Sequence, residues 1–306
     1  MKNDDKYLFN GYYRSGTTIV WDILKNSNPK WTVFYEPLNP RKGSRKNYKK
    51  YKHKLHQQVL WEEYIKQGED FVEKLVKYYP FENGIPYCRN TKLFKKYIDQ
   101  FFKNDNKLIL QSNRAFFHLD ILKSDYGFKS FHIIRNPINV YKSFKKIYKK
   151  RNFLKKIKKY LYYLKTGIHP LSKMWRFEEL IEASFRKHSL PLYWNNDNYK
   201  KKLYKDPFKI ILLGWIVSNY SSFKLERNDE IKILPYEVIV SNPIRIKTFV
   251  QQNSNLYFNT NMIKKRNSDI KMYKKRKVMK AAKKLKMKTE YEFILSKLEK
   301  SLNKIF

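Results

Sequence analysis

The chain has a single cysteine, Cys88, in 306 residues. No intramolecular disulfide can form, so no part of the fold rests on one. Glycine is scarce, at 8 residues. No apolar run reaches the length of about 18 residues that a membrane-spanning helix requires. Acidic side chains are few: 27 Asp and Glu stand against 67 Lys and Arg, a net charge of +40. No signal peptide precedes the first expected strand, which begins near Lys6. With one cysteine and no leader, the expectation is a cytoplasmic protein.

What is present can build a sizeable core, since 42% of residues are hydrophobic and 17% aromatic. One α/β domain over residues 1–306 is expected, with insertions that shape a substrate site near 39–60 and 145–205. Strands are expected near 6–11, 31–35, 108–111, 131–134 and 231–236. Helices are expected near 17–26, 61–79, 91–103, 115–124 and 206–226, after Asn136-Pro137 and Asn242-Pro243, and at the apolar stripe Tyr291, Ile294, Leu295, Leu298. Alternating strands and helices imply a mainly parallel sheet with right-handed crossovers.

The charge has two readings. An excess of this size fits an anionic partner: nucleic acid, a membrane surface or an acidic substrate. A chain rich in Lys, Asn, Ile, Tyr and Phe and poor in Gly is also what an A/T-rich coding sequence yields, with the lysines simply solvated. No specific nucleic-acid partner is read from it. Residues 147–164, with Ile147, Leu154, Ile157, Leu161 and Leu164 among lysines, fit a basic amphipathic helix. That helix could lie on an anionic membrane or pack on the body with a solvated lysine face.

Two stretches carry chemistry. Gly11-Tyr-Tyr-Arg-Ser-Gly16, followed by Thr17 and Thr18, has the G-x-x-x-x-G spacing of a phosphate-cradling loop. Thr17 stands where an ATP-binding loop carries its Lys, and the basic residue lies inside the loop as Arg14. Backbone N–H groups and a helix N-terminus can still meet an anion there. The loop is read as built for a phosphate-like group other than ATP–Mg²⁺. In Phe131-His-Ile-Ile-Arg135-Asn-Pro, the apolar run reads as a buried strand. Arg135 falls at its C-terminal end, where open α/β sheets bind ligands. Asn136 and Pro137 suit the N-cap and first position of the next helix. Ser143 shares the helix face of Asn136, so Arg135 and Ser143 can both turn to one crevice.

With these residues in view, Arg14-Ser15-Gly16-Thr17-Thr18 resembles the 5′-phosphosulfate loop of PAPS-dependent sulfotransferases. Arg135-Asn-Pro with Ser143 resembles that family's 3′-phosphate motif. Ile231-Lys-Ile-Leu-Pro-Tyr-Glu-Val-Ile-Val-Ser-Asn-Pro243 is similar to its late strand. The resemblance spans roughly residues 6–252 and is specific at these three places. It implies an α/β, P-loop-type three-layer fold with a mainly parallel central sheet flanked by helices. It implies PAPS as donor, no metal, and sulfuryl transfer to an acceptor hydroxyl, most plausibly of a sugar in a glycan, glycolipid or capsule precursor. Cofactor contacts fall on Arg14, Ser15, Gly16, Thr17, Thr18, Arg135 and Ser143. No metal-ligand cluster is seen among the histidines, Cys88 and the carboxylates.

The resemblance also bears on the base. The Lys-x-His triplet of small-molecule members would fall on Gln111-Ser-Asn113, which carries neither residue. Other branches use a Glu about twenty residues after the loop Arg, and Glu36 lies 22 after Arg14. Glu36 is thus the expected base, with Arg14 as the catalytic cation beside it. Burial could raise its pKa, and a nearby Arg14 would oppose that. Arg114 could touch the sulfuryl group or the acceptor, or form a surface ion pair. His118 reads as an ordinary core or edge histidine. Lys264-Lys-Arg266 lies where the family places a late basic loop over the 3′-phosphate. Tyr236-Glu237 is expected to hold the sheet together. A reading from a different class remains: a polyanion- or membrane-binding protein that keeps this fold without catalysis.

Overall fold

The computed structural model describes residues 6–39, 61–81, 88, 90–102, 107–149, 197–224, 231–264, 273–274 and 276–306. Most of both expected insertions lies outside these residues, as do Lys265, Arg266 and most of the 147–164 segment.

Five strands form one sheet: β1 (Lys6–Gly11), β2 (Thr32–Tyr35), β3 (Leu108–Ser112), β4 (Lys129–Ile134) and β5 (Lys232–Pro235). Their order is β2-β3-β1-β4-β5 and every pairing is parallel. Leu8 lies opposite Leu110 on one side and Ser130 on the other. Parallel strands need crossovers, and helices supply them: α1 (Thr17–Ser27) after β1, α2 (Glu62–Lys66), α3 (Glu69–Lys77) and α4 (Thr91–Asp99) before β3, and α5 (Leu119–Ser124) before β4. Then come α6 (Pro137–Lys149), α7 (Asp197–Lys205) and α8 (Pro207–Lys224) before β5. α9 (Tyr236–Ser241), α10 (Pro243–Asn253), α11 (Arg276–Lys284) and α12 (Lys288–Ile305) follow it.

The pleat sends alternate residues to two cores. On β4, Phe131 and Ile133 join a core with Val20 and Trp21 of α1, Phe94 and Ile98 of α4, and Val250 of α10. Ile134 joins the opposite core, with Phe144 of α6, Trp215 of α8, Val278 of α11 and Ile294 of α12. A sheet with helices on both faces is the three-layer α/β arrangement expected from the sequence. Helix α8 is buried on nearly every side along most of its length, because it lies between the sheet and α12.

The sheet carries one polar seam. Nε2 of His132 meets Asn219 Oδ1 of α8 at 2.8 Å, and its Nδ1 meets Asn10 Nδ2 of β1 at 3.1 Å. Burial pushes the imidazole pKa down to about 4, against the hydrogen bond to Asn219. A neutral ring that donates from Nε2 and accepts at Nδ1 satisfies both contacts. The outer edge, β5, is tied to α12, where Ser301 Oγ donates to Ile233 O at 2.8 Å.

Several boundaries differ from the sequence reading. The expected helix at 61–79 breaks at Gly68, whose φ is 90°. The 115–124 helix is a 3-10 turn (Ala115–Phe117) followed by α5. The late strand stops at Pro235, so Tyr236 and Glu237 begin a helix.

Candidate functional site

All five strands deliver a side chain to the same end of the sheet, their C-terminal end. β1 leads into the Gly11–Gly16 loop, β2 ends at Glu36, and β3 ends at Asn113 and Arg114. β4 ends at Arg135, and β5 ends at Tyr236. The order of the strands explains the meeting. From β1 the chain crosses to β2 on one side, and from β3 it crosses back past β1 to β4 on the other, so the direction of winding reverses at β1 and a crevice opens above it.

The loop is tight because β1 and β4 approach closely. A Cβ on Gly11 would stand 2.6 Å from Ile133 O. Ser15 N–H donates to Tyr12 O at 3.1 Å. Arg14 then takes a left-handed φ of 67° and Gly16 one of 94°. A Cβ on Gly16 would lie 2.2 Å from the ring of Tyr236. Gly16 is also the N-cap of α1 and offers no side-chain acceptor. Ile19 N–H turns back to Gly16 O at 3.0 Å, and the N–H groups of Thr17 and Thr18 are left for water or an anion.

Arg14, Arg135 and Ser143 come together. Arg14 Nε donates to Ser143 Oγ at 3.0 Å, and Arg135 Nη1 donates to Arg14 O at 3.0 Å. The Arg135 guanidinium lies 4.3 Å from the centre of the Tyr236 ring. Burial and the neighbouring Arg135 both lower the pKa of Arg14. Two polar atoms here are buried without a partner, Ser15 Oγ and Arg135 Nε. Two adjoining guanidiniums, an orphaned hydroxyl and open helix N–H groups form a cationic cradle. A ligand with two anionic groups fits it.

Thr17 and Thr18 tie the loop to its surroundings. Thr17 Oγ1 donates to Asn113 Oδ1 at 2.6 Å, and Thr18 Oγ1 meets Tyr35 Oη at 3.0 Å. While the first bond holds, the Thr17 hydroxyl has no proton for an anion and acts by fixing the loop to β3.

Glu36 stands at the end of β2 with a left-handed φ of 51° and is 2% exposed. Its Oε2 accepts from Arg114 Nη1 at 2.6 Å. Burial raises the carboxyl pKa; Arg114, the Asn113 N–H and the Gln111 side chain pull it back. The opposing cation is thus Arg114, where the sequence pointed to Arg14. Arg114 makes a buried ion pair, with 11% of its side chain exposed, so the surface-pair alternative is excluded. Its guanidinium lies 4.9 Å from the centre of the Tyr13 ring.

The sequence reading missed the reach of Tyr236 and Glu237. Tyr236 is the wall between Gly16 and Arg135. Glu237 Oε1 accepts from Asn136 N–H at 3.1 Å and Oε2 from Tyr273 Oη at 2.6 Å, fixing the first turn of α6. Burial raises the Glu237 pKa, with Tyr273 and the Asn136 N–H opposing. The one available signal was the adjacency of Tyr236-Glu237 to Pro235 at a strand end. His118 is a core residue as expected: its Nε2 accepts from Cys88 N–H at 3.1 Å and its ring stacks on Phe94. Among the described residues no three His, Cys, Asp or Glu side chains cluster as metal ligands, and no helix is long and apolar enough to cross a membrane.

Fold and site together define a parallel α/β protein with a cationic cradle at the C-terminal edge of its sheet. The chain belongs to the same family as an uncharacterized protein of Archaeoglobus fulgidus, with which it is 31% identical over 271 residues, 78% of this chain and 80% of that one. No protein-family model matches it. Two solved structures are similar in outline. One is the sulfotransferase domain of the Synechococcus PCC 7002 olefin synthase (16% identity, 88% of this chain and 80% of that one, TM-score 0.43). The other is the sulfotransferase domain of the curacin biosynthetic pathway (15% identity, 96% and 98%, TM-score 0.46).

Proposed function

We propose that this protein is a PAPS-dependent sulfotransferase that acts on an acceptor hydroxyl, most plausibly of a sugar, in the cytoplasm. The observation that carries the reading is the pair Arg14 and Arg135, two part-buried guanidiniums joined through the Arg14 carbonyl beside Ser143. Like charges held this close favour a ligand that brings more than one negative charge. PAPS has a 5′-phosphosulfate and a 3′-phosphate, and the sequence resemblance assigns one to the loop and the other to Arg135 and Ser143.

PAPS supplies an activated sulfuryl group whose leaving group is the 5′-phosphate of PAP. Arg14 and the first-turn N–H groups of α1 hold the charge that gathers on that phosphate. Arg135 and Ser143 anchor the other end and so fix the donor in line. Glu36 receives the acceptor proton, as a buried carboxylate set rigidly at a strand end.

The test is calorimetric titration with PAP at about 0.15 M salt, with ATP–Mg²⁺ and adenosine 5′-phosphosulfate as controls. Tight binding of PAP, with both controls much weaker, supports the donor site. Equal and salt-sensitive binding of all three would favour the second reading, a non-catalytic binder of polyanions or anionic membranes. The net charge of +40 is what recommends that reading.

A further inference from the structure

The buried pair of Glu36 and Arg114 asks for an explanation that stability does not give. A buried ion pair contributes little to stability over well-packed apolar residues. This one also holds Glu36 in a left-handed backbone conformation that suits Gly or Asn better. Both costs persist at the mouth of the cradle, which points to use of the side chains themselves.

Arg114 is placed by its neighbours. Its N–H donates to Ser112 Oγ at 3.0 Å, and the residue before it, Asn113, holds Thr17 of the loop. Its guanidinium lies against Tyr13, the residue before Arg14. Of the five donors on that guanidinium, the structure engages one, on Glu36. Held on one side by Glu36 and on the other by the Tyr13 ring, the guanidinium lies between the carboxylate and the loop that would carry the phosphosulfate. An acceptor hydroxyl has to enter that same space, with its proton toward Glu36 and its oxygen toward sulfur.

We propose that Arg114 links the two halves of the transfer: one donor aims the Glu36 carboxylate, and the others meet the sulfuryl oxygens of the donor. This rests on the proposed function and adds a residue to it. In the step itself the acceptor oxygen forms a bond to sulfur as the bond from sulfur to the 5′-phosphate oxygen breaks. The electron pair leaves with that phosphate, and the acceptor proton passes to Glu36. Arg114 gives up no proton; it spans the charge that moves from carboxylate to phosphate. Its charge also opposes the effect of burial on Glu36 and so favours the ionised carboxylate that can accept a proton.

The experiment compares PAP with PAPS, which differ by the sulfuryl group, in calorimetric titrations of wild type, Arg114→Met and Arg114→Lys. No acceptor is needed. Arg114→Met should weaken PAPS by about 10- to 100-fold and leave PAP within about twofold. Arg114→Lys should recover part of the loss. In ligand-free protein carrying ¹³C-labelled glutamate, with Glu36→Gln to assign the signal, the Glu36 carboxyl should titrate at higher pH in Arg114→Met. A pair that serves structure alone would weaken both nucleotides together or neither, and either result overturns the inference. If the wild type binds neither nucleotide, the donor reading itself fails. An Arg114→Met defect confined to the carboxyl titration would leave Arg114 with its hold on Glu36 and no role toward sulfur, which also overturns the proposal.

Discussion

At the scale of single residues, the cradle depends on how closely the backbone can approach a ring. Gly16 has a left-handed φ and no space for a methyl group against Tyr236. Gly16→Ala should therefore cost at least about 1–3 kcal/mol, seen as a lower Tm. It should also displace the Tyr236 ring from the Arg135 guanidinium and weaken PAP binding; unchanged melting would mean the loop yields easily. Arg135→Ala removes one of the two cations and should lower PAP affinity strongly with little change in Tm, since the side chain is part-exposed. Full affinity in that variant would take the 3′-phosphate away from Arg135. The spacing of glycines, Arg14 and Arg135 was legible in the sequence because it obeys local rules. The partners were not legible. Arg114 beside Glu36, Asn113 beside Thr17 and Tyr236 over Gly16 are meetings across 78, 96 and 220 positions of the chain, made by strand order alone.

At the scale of elements, two helices that begin with Asn-Pro start in different ways. Asn242 caps α10 with its side chain, accepting from Arg245 N–H at 3.5 Å in an exposed setting. Asn136 at the start of α6 is fully buried; its side chain accepts from Ile138 N–H, and its own N–H is taken by Glu237. Asn242→Ala should thus cost about 1 kcal/mol and leave PAP binding alone. Glu237→Ala should cost more, on the order of 2–3 kcal/mol, because Asn136 N–H and Tyr273 Oη lose a buried acceptor. It should also lower PAP affinity, since α6 carries Ser143. Denaturant midpoints and titrations on both variants check this. If Glu237→Ala left affinity unchanged, the first turn of α6 would be set by other contacts. Both helix starts could be read from the sequence, since Asn-Pro signals a cap wherever it lies. Which of them is buried could not, because that depends on β5 arriving beside β4. The same limit explains the late strand: the run Val238-Ile239-Val240 looks alike in a strand and in a buried helix, and only the end of the β4 pairing fixes the change at Pro235.

At the scale of the molecule, the polar seam through the sheet sets a pH dependence. The His132 pKa is about 4 in the fold and about 6.5 when unfolded. Between these values the unfolded chain binds the proton and the folded one does not, so stability is full above about pH 6.5 and falls as pH drops toward 4. The contribution at stake is about 3 kcal/mol. Glu36 and Glu237 act in the opposite sense, because their raised pKa values favour the fold at low pH and that benefit is lost as pH rises through them. Comparison of wild type with His132→Gln isolates the histidine: urea midpoints of the wild type should fall more steeply below pH 6.5. Parallel pH curves would mean the ring is charged in the fold. The three-layer arrangement itself was open to sequence reading, since alternating apolar strands and amphipathic helices leave few other ways to bury both faces.

The central position of β1 has a consequence for synthesis. Of the five described strands β1 is made before the others and is the innermost, and neither of its described neighbours exists until Leu108 can pair with Lys6. At roughly 5–20 residues per second, that delay is on the order of 5–20 s. Throughout it, Tyr-Leu-Phe is an apolar ribbon with two open sides in the nascent chain. The product of the ribosome would therefore be most exposed to aggregation or to capture by a chaperone early in translation, and the danger passes when β3 and then β4 come to lie on either side of it.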